Sequence, residues 1–205
     1  MKKLAKFFSV LFHPIFLLNF GLFILFKVHP YYYSKFYEEQ FFKITILIVS
    51  NTLIMPIITF WLLKRFKLIS DFEVHNPRER LIPYASIAFL IGFTAFQFYR
   101  NDLMGLPFVF LITILISLLL NIIINFKFKI SSHTIGAGGL IALFLFLTVI
   151  KHISLFTPYF IAVLLIAGIT GWARMELKAH NEAQIYSGYL LGFLVVFLGL
   201  MYLPF

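Results

Sequence analysis

Residues 103–126 read LMGLPFVFLITILISLLLNIIINF, 24 residues in a row without Asp, Glu, Lys or Arg. Crossing the hydrocarbon core of a bilayer takes about 20 mostly apolar residues as a helix, and a backbone in lipid must satisfy its own polar groups, as a helix does. The stretch therefore reads as a membrane span. Residues 7–26, 44–63, 81–99, 130–150, 152–173 and 183–205 are equally free of those four residue types, and the shortest of them has 19 residues. Seven such runs predict an all-α integral membrane protein, a polytopic bundle of about seven transmembrane helices forming one domain over residues 1–205.

Composition narrows the chemistry. With 61% hydrophobic and 12% charged residues, the chain departs from the soluble average of roughly half apolar and a quarter charged. Its 28 Phe and mean hydropathy of +0.97 exclude disorder, which needs the opposite balance. No Cys is present, so disulfides, thiolate metal sites, iron–sulfur clusters and Cys nucleophiles are excluded, and catalysis is left to His, Ser, Arg or carboxylates. The net charge of +9 comes from basic residues flanking apolar spans. That pattern points to anionic lipid and away from nucleic acid.

The connections are short. Residues 27–43 carry Tyr31-Tyr32-Tyr33 and read as an interfacial aromatic belt. Lys2, Lys3 and Lys6 before an apolar stretch imitate a signal peptide, but Leu22 and Phe23 continue it without a small-residue cleavage site, which predicts a retained first helix. With seven spans, the connections 64–80, 127–129 and 174–182 emerge on the N-terminal side. That side holds 12 of the 17 Lys and Arg, leaving Lys27, Lys35, Lys43, Arg100 and Lys151 on the other. The positive-inside rule makes the N-terminal side cytoplasmic, with a bacterial inner membrane as the expected location.

Three polar elements lie on that side. The first ends Asn76-Pro77-Arg78-Glu79-Arg80, where Asn76 as N-cap, Pro77 at the first helical position and Glu79 at the third make a helix start. Arg78 and Arg80 then lie about 200° apart, so one of them points inward. They are either plain basic flanks or a guanidinium fork for a phosphate. The second, Lys129-Ile130-Ser131-Ser132-His133, opens an apolar helix. Its serines either simply cap that helix or help present its free N–H groups to an anion. The third runs Arg174-Met175-Glu176-Leu177-Lys178-Ala179-His180-Asn181-Glu182-Ala183-Gln184. Arg174 and His180 face one ligand only if the chain turns between the spans, whereas a helix from Glu176 would stack Glu176, His180 and Gln184 on one face. Arg174 and Lys178 also suit snorkelling anchors at a span end.

The set resembles the type 2 phosphatidic acid phosphatase superfamily of lipid phosphate phosphatases, relatives of the vanadium haloperoxidases. That pattern has Lys, six residues, Arg-Pro; then Pro-Ser-Gly-His; then Ser-Arg, five residues, His, three residues, Asp. Ile130-Ser131-Ser132-His133 looks like the second element, and Ala173-Arg174, five residues, His180, three residues, Gln184 looks like the third. Ser187-Gly188 and Gly192 look like the small-residue face of the helix that follows. In the first element the family's lysine is missing and proline comes only at Pro83; Arg80, with Arg78 second, is the expected arginine, and Lys129 the substitute ammonium.

The resemblance implies a metal-independent phosphatase that needs no cofactor. Its substrate would be a lipid phosphate or isoprenoid diphosphate, and its other partner the bilayer. His180 would be the nucleophile and His133 the acid for the leaving oxygen, while Arg174, Arg80 and backbone N–H groups near Ser131, Ser132 and His133 hold the phosphate. Gln184 stands where the family has Asp, and Glu176 is expected to orient His180 in its stead. If Gln184 silences the nucleophile, the same scaffold implies a protein that binds or translocates lipid phosphates. A magnesium-dependent prenyltransferase would need clustered carboxylates, yet the only aspartates, Asp71 and Asp102, fall on opposite sides. The other histidines show no pairing suited to haem.

Overall fold

The computed structural model describes residues 1–35, 38–71, 74 and 77–203. Among these residues every regular element is helical. The long helices are α1 (Lys2–Leu11), α2 (Pro14–Val28), α4 (Glu38–Val49), α5 (Met55–Arg65), α6 (Leu81–Arg100), α7 (Leu106–Asn125), α8 (Ser132–Leu145), α9 (Thr157–Glu176) and α10 (Glu182–Tyr202), with a short α3 (Pro30–Lys35) after α2. A π-helical turn, Ser50–Ile54, joins α4 to α5, and another, Phe146–Ile150, extends α8. Among the described residues six helical stretches are long and apolar enough to cross a bilayer: Glu39–Arg65, Leu81–Arg100, Leu106–Asn125, Ser132–Ile150, Ser154–Glu176 and Glu182–Tyr202.

The expected first span, residues 7–26, is not one straight helix. The chain breaks after Leu11 and restarts at Pro14, with the two axes bent by 47°. Proline has no N–H and a fixed φ, so it suits the first position of a new helix, and His13 before it is extended with Nδ1 accepting from the N–H of Ile15. The tyrosine belt also needs correction. Tyr31 and Tyr33 are exposed, but Tyr32 is buried with its hydroxyl accepting from the N–H of Leu106 at 2.9 Å.

At the centre stands α8, whose Gly136-Ala137-Gly138-Gly139 run lets its neighbours α2, α7, α9 and α10 come close. Its closest partner is α10. A methyl on Gly192 would fall on the carbonyl of Ile135, and one on Gly188 would strike the hydroxyl of Thr134 and lie 2.8 Å from the carbonyl of Ser131. Small-residue faces of this kind pack helices where apolar burial alone gives no driving force, because lipid is as apolar as leucine. Large side chains such as Phe89, Phe96, Leu165 and Leu190 point outward. On a soluble protein that surface would be an aggregation hazard.

Candidate functional site

Arg80 ends the 3₁₀ turn Pro77–Arg80 that leads into α6, and it is only 4% exposed. Its Nε donates to the carbonyl of Val74 at 2.9 Å and its Nη1 to Oδ1 of Asn125 at 2.8 Å. Asn125 Nδ2 donates to Asn121 Oδ1 at 2.5 Å, Asn121 Nδ2 donates to Ser132 Oγ at 2.9 Å, and Ser132 Oγ shares a hydrogen bond of 2.7 Å with the hydroxyl of Tyr84. A chain of neutral amides and hydroxyls thus ties the guanidinium to the start of α8. Among the described residues the acceptors of this buried guanidinium are neutral, and a buried charge without a counter-charge is costly unless an anion joins it. Asn76 and the side chain of Arg78 lie outside the described residues.

Arg174 sits in the last turn of α9, 4% exposed. Beyond it the helix closes with Lys178 in the left-handed region (φ 53), the N–H of Lys178 on the carbonyl of Met175 and the N–H of Ala179 on that of Arg174. This Schellman closure reverses the chain and brings His180 back beside Arg174. Glu176 and His180 are therefore not on one helix, and the stacked face expected from their spacing does not form. Gln184 does meet the histidine. Asn181 and Gln184 form a capping box at the start of α10, and Gln184 Oε1 also lies 3.2 Å from His180 Nδ1. The carbonyl of Lys129 lies 3.2 Å from the same nitrogen. Both neighbours are acceptors, so Nδ1 carries the proton and Nε2 keeps the lone pair.

The electrostatics are one-sided. Burial, then the charges of Arg174, Arg80 and Lys129, pull the His180 pKa down from its ordinary value to about 4, against the hydrogen bond to Lys129. Burial and the same two guanidiniums lower the pKa of the Lys129 ammonium, Asp71 acting in the opposite sense.

On α8, Ser132 and His133 line the cavity that these groups share, whereas Ser131 does not. Ser131 is the N-cap residue, but its side chain makes no cap bond, and its fully buried hydroxyl has no partner among the described residues. Its carbonyl accepts from Thr134 and Ile135. Of the two serines, Ser132 is the one whose side chain borders the cavity. His133 Nε2 donates to the carbonyl of Ser9 at 3.1 Å, leaving Nδ1 as the nitrogen with a lone pair. Ser9 Oγ accepts from Arg174 Nη1 at 2.7 Å, and the His13 ring stands edge-on to His133 with centroids 5.0 Å apart.

The cavity has a volume of about 450 Å³. Ser9, His13, Arg80, Tyr84, Asn121, Ser132, His133, Arg174 and His180 line it at the ends of their helices, and Ile87, Ile91, Phe110, Ile114, Leu118 and Leu140 line it further in, with Phe60 and Trp61 of α5 on one flank. From Arg80 to Ile91 along α6 is roughly 16 Å at about 1.5 Å per residue, about half the thickness of a hydrocarbon core. The cavity is thus cationic at one end and apolar along the rest of its length. Lys129 is outside its lining and acts through its carbonyl and its charge. Asn121, Asn125, Ser9 and His13 were not anticipated from sequence. Asn121 and Asn125 continue a polar stripe with Thr113 and Ser117, all buried at four-residue spacing on α7. Among the described residues, no three His, Asp or Glu converge as metal ligands.

Compared with models of protein families, with curated proteins and with solved structures, the chain matches none of them.

Proposed function

We propose that this chain is a seven-span membrane protein, with the bent α1–α2 pair as its first span and its motif face cytoplasmic, that hydrolyses a lipid phosphate or isoprenoid diphosphate through His180. On this reading it is a divergent relative of the type 2 phosphatidic acid phosphatases. The observation that carries the proposal is the cavity that joins Arg80, Arg174 and His180 to an apolar channel about one leaflet deep. That is the shape and polarity of an amphiphile with an anionic head.

Phosphoryl transfer needs preorganised positive donors and an in-line nucleophile more than elaborate covalent chemistry. Arg80 and Arg174 hold the non-bridging oxygens, with Lys129 adding its field. The Nε2 lone pair of His180 forms the N–P bond as the bond from phosphorus to the lipid oxygen breaks; His133 Nδ1, unprotonated at rest, takes the proton of the bound phosphate monoanion and passes it to that oxygen. Water then attacks phosphorus, His133 takes its proton, the N–P bond breaks, and inorganic phosphate leaves. The depressed pKa of His180 keeps it neutral and nucleophilic at physiological pH.

A second reading has its own observation. Gln184 fixes the tautomer of His180 but brings no negative charge to it, and in the Ser-His-Asp template exchanging the carboxylate for an amide costs about 10⁴ in rate. The same pocket then serves to bind or translocate a lipid phosphate. Phosphate release in detergent from a panel of lipid phosphates and diphosphates, with EDTA present, separates the two. Release that disappears in His180→Ala and Arg174→Ala supports the phosphatase; binding of the same lipids without release supports the carrier.

A further inference from the structure

Helix α1 has three faces. At about 100° per residue, Lys2, Lys3 and Lys6 form a cationic flank and Leu4, Phe7 and Leu11 an apolar flank about 125° round from it, all six exposed. Between them Ala5 and Ser9, one turn apart, are buried against the rest of the protein at 0% and 4% exposure. As the outer half of the bent first span proposed above, α1 turns these lysines toward the head groups while its apolar flank meets lipid. Phe8 packs on Trp172 of α9 with centroids 6.5 Å apart, and the bend at His13–Pro14 turns α1 away from the axis of α2. The helix therefore holds its buried strip at the level where Arg174 ends α9.

Ser9 on that strip touches two groups of the site through different atoms. Its hydroxyl accepts from Arg174 Nη1 at 2.7 Å, and its carbonyl accepts from His133 Nε2 at 3.1 Å. An arginine at a helix end has four side-chain torsions, and a phosphate gains most from a guanidinium already held in place. We propose that Ser9 is a positioning residue, carried by α1 at the outer end of the bent first span, that fixes the Arg174 guanidinium for an anionic head group and orients His133. The inference rests on the lipid-phosphate reading above and adds a fourth element, from the N-terminus, to the three polar connections.

The test uses the full chain in nanodiscs of zwitterionic lipid, with hexadecyl phosphate as the probe and its affinity as the readout. Removing one hydrogen bond to a charged group should weaken binding about tenfold in Ser9→Ala. Ser9→Thr, which keeps the hydroxyl, restores it. Because Ser9 acts through Arg174, Ser9→Ala should add nothing in an Arg174→Ala background, whereas a general packing role would weaken both backgrounds alike. Wild-type affinity in Ser9→Ala, or the same loss with and without Arg174, overturns the inference alone. A wild-type chain that does not bind hexadecyl phosphate overturns the lipid-phosphate reading and this inference together.

Discussion

Replacing Gln184 by Glu changes one charge at the site and almost nothing else. Oε1 of Gln184 accepts from the N–H of Asn181 and from His180 Nδ1, both at 3.2 Å, and a glutamate oxygen accepts both equally well. Glu is also favoured at the third position of a capping box and at the positive end of a helix. Spreading the two charges over the ring and the carboxylate puts their centres about 4 Å apart, worth about 4 kcal/mol at an effective dielectric of about 20, or about 3 pK units. His180, held at about 4 by burial and its cationic neighbours, should therefore titrate near 7 in Gln184→Glu, to be measured by NMR of nitrogen-15 histidine in nanodiscs. The variant should also raise phosphate release by about 10- to 100-fold, less than the full 10⁴ of the carboxylate template because the Lys129 carbonyl already shares the Nδ1 proton. The sign of the stability effect follows. In the wild type the folded state resists protonating His180, so stability is fully present above the unfolded value near 6.5 and falls between that pH and about 4; in the variant this loss disappears. A shift of His180 below about one unit would refute the contact and the roles built on it.

Other outcomes follow from the same geometry. In the wild type the acid limb of kcat/KM should fall near pH 4, where free His180 protonates, rather than near the ordinary histidine value of 6.5. Asn125→Leu removes the acceptor of Arg80 Nη1 and the donor to Asn121, and should cost about 2–3 kcal/mol in detergent unfolding and weaken hexadecyl phosphate binding. Gly192→Ala, whose methyl falls on the Ile135 carbonyl, must push α10 from α8 and should lose about 2 kcal/mol or more, while Gly168→Ala, with open space around it, should be neutral or slightly stabilising. Thermal midpoints of the two glycine variants make the comparison.

Most spans were legible because lipid forbids charge, and a charge-free run marks a helix without help from tertiary contacts. Span ends shifted by a few residues, as at 183–205 against Glu182–Tyr202. What the apolar count hid was the break at His13: a run can be charge-free and still bend where Pro14 starts a new helix, and with it went the placement of Ser9 and His13 on the cavity. The convergence of Arg80, Arg174, His133 and His180 was readable because all four stand at helix ends on one side. Glu176 was misplaced because the left-handed turn at Lys178 has no glycine to announce it. Asn121 and Asn125 were overlooked inside an apolar stretch, although four polar residues at four-residue spacing from Thr113 define an inward face.

The most direct test of a His180-based phosphatase is to mix the chain with a phosphorus-32-labelled lipid phosphate it binds, quench in alkali within the first turnover, and look for label on the protein. The expected result is an alkali-stable, acid-labile phosphohistidine that maps to His180 and is missing in His180→Ala. Phosphate release without protein-bound label, undiminished in His180→Ala, would contradict the account.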